Sequence, residues 1–284
     1  MKKVIACVDG AAYTASVCDY AVWAAQQMAA PIEFLHVLDR HPERAPVSDF
    51  SGSLGLGTQE ALLEELSALD EKRSMVAQRH GRELLNGAVN RAKDAGLLAV
   101  ESRQRHGGLV ESLLDLEADA RLFVLGQHYQ PEQRGRYHLD HSVERVIRAV
   151  QRPVLVASAQ YRAPQHFAIA FDGSATGRTM VQTVAASPLL KAQACTVVMA
   201  GQDTDASVDA LNWVVSTLNA AGFKVNVRLL KDEIEAALPA FLVAESMDML
   251  VMGAYGHSRI RHLIVGSTTT TLLRTCPVPV LILR

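Results

Sequence analysis

Apolar residues fall along this chain in short unbroken runs, separated by stretches where they recur every three or four positions. A run of about four to eight apolar residues bounded by turn residues marks a strand covered on both faces, and the longer recurrence marks a helix with one apolar face. Lys3–Val8 reads as a strand ending at Asp9-Gly10, Ala15–Met28 as a helix, and Ile32–Leu38 as the next strand. Residues 39–60 are rich in Pro, Gly and Ser and read as a loop excursion, either a lid or a disordered stretch. Helical spacing runs over Glu60–Ala95, with a break expected near Ala68–Lys72, and Gly96 ends it. Strand Leu97–Ser102, helix Gly108–Leu116, strand Leu122–Leu125, helix Ser142–Val150 and strand Pro153–Ala157 follow.

The pattern then starts again. Strand Phe167–Phe171 ends at Asp172-Gly173, and a helix covers Gly177–Ser187. Strand Cys195–Ala200, helix Ala206–Ala221, strand Phe223–Leu229, helix Ile234–Glu245 and strand Met249–Met252 come next, before helix Ser267–Thr275 and strand Pro279–Leu283. Three anchors register the halves: Asp9-Gly10 with Asp172-Gly173, Leu125-Gly126 with Met252-Gly253, and Pro153-Val-Leu-Val with Pro279-Val-Leu-Ile. Each half alternates five short strands with helices, which implies an α/β fold of two tandem doubly wound units, each a parallel sheet with helices on both faces. The expected units are residues 1–158 and 165–284, joined through the polar segment Ser158–Gln165, a linker short enough to keep the halves packed together.

Composition narrows the class without naming a chemistry. The 284 residues are 49% hydrophobic and 20% charged, ordinary for globular domains, and the formal net charge of −2 gives no general attraction to nucleic acid or anionic membrane. No apolar run approaches the roughly 20 residues of a membrane span, and the N-terminal apolar segment is short and ends on an acid, so the cytoplasm is the expected location. Cys7, Cys18, Cys195 and Cys276 lack paired spacing and read as small buried hydrophobes.

Chemistry in an open parallel sheet belongs beyond the carboxyl ends of the strands, where the strand order reverses. In the second half those ends carry Asp172 and the stretch Gly253 to Thr268. A glycine turn lets backbone approach a ligand, and a Gly-Ser-Thr helix start offers unpaired N–H groups and hydroxyls to an anion. Gly256 and the Gly266-Ser267-Thr268 corner would hold phosphate oxygens, while Asp172 would accept hydrogen bonds from ribose hydroxyls. Asp172 or Ser174 also suits a plain helix cap. His257, Arg259, Arg261 and His262 suit a loop facing phosphate or a solvated one. His128, His138 and His141 lack the companions of a metal set. Tyr255 and Trp213 read as packing residues.

Gly253, Gly256, Gly266 and Ser267 meet the Gly-x2-Gly-x9-Gly-Ser/Thr signature, and with Asp172 at the first strand end the second half resembles a universal stress protein domain of the ATP-binding kind. Both halves share the resemblance, so the whole chain is similar to tandem universal stress proteins. It implies sheet order 3-2-1-4-5, backbone at Met199, Ala200 and Met252 against adenine, and ATP, with or without Mg2+, as ligand. It also implies a stress-response role in binding and regulation, with final strands that pair between the halves as a pseudo-dimer, a homodimer of the whole chain staying open. The first half departs from the signature: Asp140-His141-Ser142 stands in the place of Gly266-Ser267-Thr268, and Tyr129 in that of Gly256. A carboxylate there repels phosphate and Tyr fills the space of a backbone approach, so a nucleotide is expected in the second half only. A slow ATPase and a nucleotide-free scaffold remain as alternatives, the first weakened by the lack of a Walker lysine.

Overall fold

The computed structural model describes residues 1–38, 56–127, 129–131, 137–139, 141–231, 233–253 and 267–284, with backbone alone for 56–64, 129–131, 137–139, 141 and 267. In the first half, strands β1 (Lys3–Cys7), β2 (Ile32–Leu38), β3 (Val100–His106) and β4 (Ala120–Gly126) alternate with helices α1 (Thr14–Met28), α2 (Leu56–Asp94) and α3 (Leu109–Leu116). A small hairpin, β5 (Tyr129–Pro131) with β6 (Tyr137–Leu139), precedes α4 (His141–Ala149) and β7 (Val154–Ala157). The second half runs β8 (His166–Ala170), α5 (Ala175–Ala186), β9 (Ala194–Ala200), α6 (Asp205–Ala220), β10 (Val225–Leu230), α7 (Ile234–Ala244), β11 (Met249–Gly253), α8 (Ser267–Thr275) and β12 (Val280–Leu283).

One sheet of ten strands carries both halves, in the order β10-β9-β8-β11-β12-β7-β4-β1-β2-β3. Within each half the pairing is parallel and follows 3-2-1-4-5, as the resemblance implied. At the middle, β12 meets β7 antiparallel, with Val280 opposite Val156, Leu281 opposite Leu155 and Ile282 opposite Val154. Two bare apolar edges would otherwise seek strangers, and each covers the other.

Strand side chains alternate between two cores, which is why the strands read as unbroken apolar runs. Val4 and Ala6 enter one core with Phe167, Ile169, Leu281 and Leu283, while Ile5 enters the other with Ala168, Val280 and Ile282. Both cores run through the junction of the halves. Arg284 strengthens that junction by donating to the carbonyls of Ile147 and Arg148, both at 2.6 Å, at the carboxyl end of α4, where a helix dipole favours a cation. The linker is tied to α1: Ser16 donates to the carbonyl of Ser158 at 2.6 Å, and the ring of Tyr161 meets Tyr20 edge-on.

Several sequence expectations shift. Helix α2 is continuous through Ala68–Lys72, where Ala68, Leu69, Glu71 and Lys72 are strong helix formers around Asp70 and neither Gly nor Pro occurs. β3 lies at Val100–His106 instead of Leu97–Ser102, because this polar edge strand has no apolar run to mark it and is placed by its register on β2, Ile32 opposite Val100. Tyr129 sits in the β5–β6 hairpin, where the sequence suggested only a loop. The expected excursion at 39–60 lies outside the described residues as far as residue 55, and α2 begins at Leu56.

Candidate functional site

Strands β9, β8 and β11 are neighbours, so their carboxyl ends share one rim. Ala170 pairs with Val198 on one side and with Met252 on the other. One residue beyond, Phe171 donates its N–H to the carbonyl of Val198 at 2.9 Å, and the chain then turns through Asp172 and Gly173, whose φ of +75° suits glycine. Met199 and Ala200 are half-buried at the end of β9, Met252 is buried, and Gly253 is half-buried at the end of β11. The strand ends thus set Asp172, Met199, Ala200, Met252 and Gly253 along one rim. Among the remaining candidates, Gly256, Arg259 and Gly266 lie outside the described residues, as do Tyr255, His257, Arg261 and His262. Ser267 opens α8, in the expected place.

Asp172 is exposed and is not itself the helix cap. Ser174 caps α5, its hydroxyl oxygen accepting from the N–H of Gly177 at 3.0 Å. Asp172 Oδ1 accepts from the N–H and the hydroxyl of Ser174, at 3.0 and 2.6 Å. A Cβ on Gly177 would lie 2.6 Å from that oxygen, so glycine is what lets the carboxylate fold over the helix start. The second oxygen, Oδ2, has no hydrogen-bond partner among the described residues.

Thr268 carries a feature that sequence did not reveal. Its hydroxyl donates to Glu235 Oε1 at 2.7 Å, from α8 to the first turn of α7. A half-buried carboxylate therefore stands beside the start of α8. In the sequence Glu235 looks like an ordinary first-turn acid, and no local pattern links it to a residue so far along the chain.

The first half offers an internal comparison. Asp9, also exposed, likewise folds over the start of its helix, its Oδ1 accepting from the N–H of Ala11 and the hydroxyl of Thr14. At Gly126, the counterpart of Gly253, a Cβ would lie 2.8 Å from Tyr13 Cβ, whereas at Gly253 the nearest atom among the described residues would be Thr176 Cγ2 at 3.8 Å. Tyr13 and Thr176 are matching positions, four residues after Asp9 and Asp172. Helix α2 adds a roof: His80 lies 3.1 Å from where a Cβ on Gly10 would be, and Gly81 packs against the buried His36 and Gln104. His36 Nδ1 sits 2.7 Å from the carbonyl oxygen of Val8, which can only accept, so this nitrogen carries a proton and donates it. It occupies the position of Met199 in the repeat. At the strand ends, on the side of α3 and α4, lies a cavity of about 220 Å3 lined by Cys7, Asp9, Leu109, Gly126 and Ser142 among others, smaller than the roughly 300–1,000 Å3 of small-molecule sites. Asp140 and His128 lie outside the described residues, and α4 begins at His141 as α8 begins at Ser267.

Burial pushes the thiols of Cys18, Cys195 and Cys276 up to about 12, and also raises Cys7, so none is a ready nucleophile. Trp213 packs on the core edge with the Arg178 guanidinium 4.7 Å from its ring centre. Among the described residues no group of three metal-ligating side chains is assembled, and no helix is long and apolar enough to cross a membrane.

Comparison with known proteins agrees with this architecture. The chain is 35% identical to universal stress protein Slr1230 of Synechocystis sp. over 288 aligned positions, covering all of both chains. Its fold is similar to a universal stress protein from Archaeoglobus fulgidus, with a TM-score of 0.73 at 17% identity over 99% of this chain and 98% of the other. A universal stress protein structure from Pseudomonas aeruginosa aligns with a TM-score of 0.65 at 13% identity, over 100% of this chain and 93% of the other. The model of the universal stress protein family matches residues 1–158 and 198–284. With the duplicated sheet, the whole-length relative and the family match in agreement, the chain belongs to the universal stress protein family.

Proposed function

We propose that the second half holds an adenine nucleotide, ATP, in the crevice at the ends of β9, β8 and β11, and that occupancy regulates what the protein associates with during stress in the cytoplasm. Asp172 Oδ2 would accept from the ribose, backbone at Met199, Ala200 and Met252 would border the adenine, and Gly253, Gly256, Gly266, Ser267 and Thr268 would cradle the phosphates, with Arg259 neutralising charge. Residues 1–158 and 165–284 are the two units of this reading, joined through β7 and β12 as an intrachain pseudo-dimer. The first unit has a structural or regulatory part.

The observation that carries this reading is the contrast at matching glycines. Among the described residues, a Cβ at Gly253 would meet Thr176 only at an ordinary contact distance of 3.8 Å, where at Gly126 it would be blocked by Tyr13 at 2.8 Å. Described carboxylate oxygens near the crevice are few, and Glu235 Oε1 is already taken by Thr268. A Mg2+ arriving with ATP would thus be held mainly by phosphate and water, as this cation prefers.

Equilibrium titration of the full chain with ATP tests the proposal. One saturable site is expected per chain, weakened at least about tenfold in Gly266→Asp, where a carboxylate enters the phosphate seat. Absence of saturable binding, or an unchanged affinity in Gly266→Asp, would sink it.

A slow ATPase is the second reading, favoured by the carboxylate of Glu235 beside the start of α8, where it could orient a water. Single-turnover hydrolysis that exceeds the buffer control and is lost in Glu235→Gln would support it; a rate equal to the control would dismiss it.

A further inference from the structure

Helix α2 extends well beyond the sheet it packs on. Its 39 residues make a rod about 58 Å long. Among the described side chains of its amino-terminal half, every one from Glu65 to Ala77 is exposed, Gln78 is half-buried, and full burial begins at Gly81. Leu66, Leu69 and Val76 are 46%, 46% and 68% exposed. Their spacing puts them on one stripe of the helix, with Arg73 between Leu69 and Val76.

Charge on the same segment is sorted by position. Glu65, Asp70 and Glu71 come first, with no base among them, and Lys72, Arg73, Arg79 and Arg82 follow, with no acid from 72 to 82. None of the seven forms an ion pair with a described residue. A helix that changes sign at its middle is complementary to a copy of itself running the other way.

We propose that a second copy of this chain docks its own α2 antiparallel on this stripe, about a two-fold axis near Glu71. Leu66 of each copy then lies against Val76 of the other, Leu69 lies along the aliphatic stem of Arg73, and the acidic segment of each copy faces the basic segment of its mate. A parallel pair would set acid against acid and base against base. Three apolar side chains per copy make a contact at the small end of specific interfaces, which need about 1,000 Å2, so charge supplies much of the association and salt weakens it. The pairing uses a surface distant from the nucleotide crevice and stands or falls independently of it.

Sedimentation equilibrium of the full chain at low ionic strength tests this. Self-association towards twice the 30.8 kDa of one chain is expected, with the dimer weakened roughly tenfold or more in high salt. The triple variant Lys72→Glu, Arg73→Glu, Arg79→Glu should be monomeric. Adding Glu65→Lys, Asp70→Lys and Glu71→Lys to it should restore association, because the sorted pattern is rebuilt in reverse. All six positions are exposed, and an unchanged far-ultraviolet circular dichroism spectrum would verify folding. A wild-type chain that stays monomeric at low salt overturns the proposal, whether residues 39–55 or a foreign partner covers the stripe. A six-fold variant that stays monomeric while folded overturns the antiparallel pairing.

Discussion

Tyr13, in the turn before α1, packs so closely over Gly126 at the end of β4 that an added Cβ there would lie 2.8 Å from its own. The matching pair in the second half, Thr176 and Gly253, leaves 3.8 Å. Among the described residues, the same backbone plan is therefore tightly filled at this glycine in one half and in ordinary contact in the other. Gly126→Ala should destabilise the fold by about 1–3 kcal/mol through overpacking, while Gly253→Ala should cost less than about 1 kcal/mol. Denaturant unfolding of the two variants compares them directly. If the nucleotide reading holds, Gly253→Ala alone should also weaken ATP binding.

Glu235 sets a negative charge next to the helix start proposed to face phosphate. Removing that charge with Glu235→Gln should raise ATP affinity by about 3- to 10-fold, the effect of roughly 1 kcal/mol of relieved repulsion in a solvated crevice. AMP, with less charge near α8, should respond less. Calorimetric titration of both nucleotides reads the difference, and a fall in ATP affinity would mean that Glu235 holds Thr268 in its useful position.

Tyr20 ties the linker to α1. Its hydroxyl oxygen accepts from the N–H of Arg162 at 3.3 Å and lies 3.5 Å from both the Ser158 hydroxyl and the Gln160 carbonyl. These contacts are long, so the Tyr20→Phe change should cost only about 1 kcal/mol. The expected cost shows in the unfolding midpoint, with faster proteolysis across Ser158–Gln165 in the variant.

The buried thiols predict an alkaline limit to stability. Cys18, Cys195 and Cys276 are raised to about 12 by burial, against about 8.5 in an unfolded chain. A raised folded value means stability that is complete below the unfolded value and is lost as pH climbs towards the folded one. Each thiol removes up to about 1.4 kcal/mol per pH unit across that window. Unfolding free energies measured from pH 8 to 11, roughly spanning that window, should decline, and less so in a Cys195→Ala, Cys276→Ala background. Native thiols should resist alkylation at pH 8 and react after denaturation.

Sequence by itself determined the repeated α/β plan, because strands buried on both faces must be continuously apolar and matching motifs recur at matching strand ends. The strands at Ile32–Leu38 and Met249–Gly253, and the helix at Ser267–Thr275, were legible for that reason. Edge strand β3, with Arg103 and Arg105 in it, was misplaced because pairing with β2 and not apolar content positions it. The intact length of α2 followed from propensity that outweighed an expected break. What the tertiary structure alone decided are contacts between residues distant in the chain: Tyr13 over Gly126, Gly81 on His36, Thr268 bound to Glu235, and β12 against β7. Sequence periodicity encodes which face of an element is buried, but not which side chain of another element fills the space in front of it.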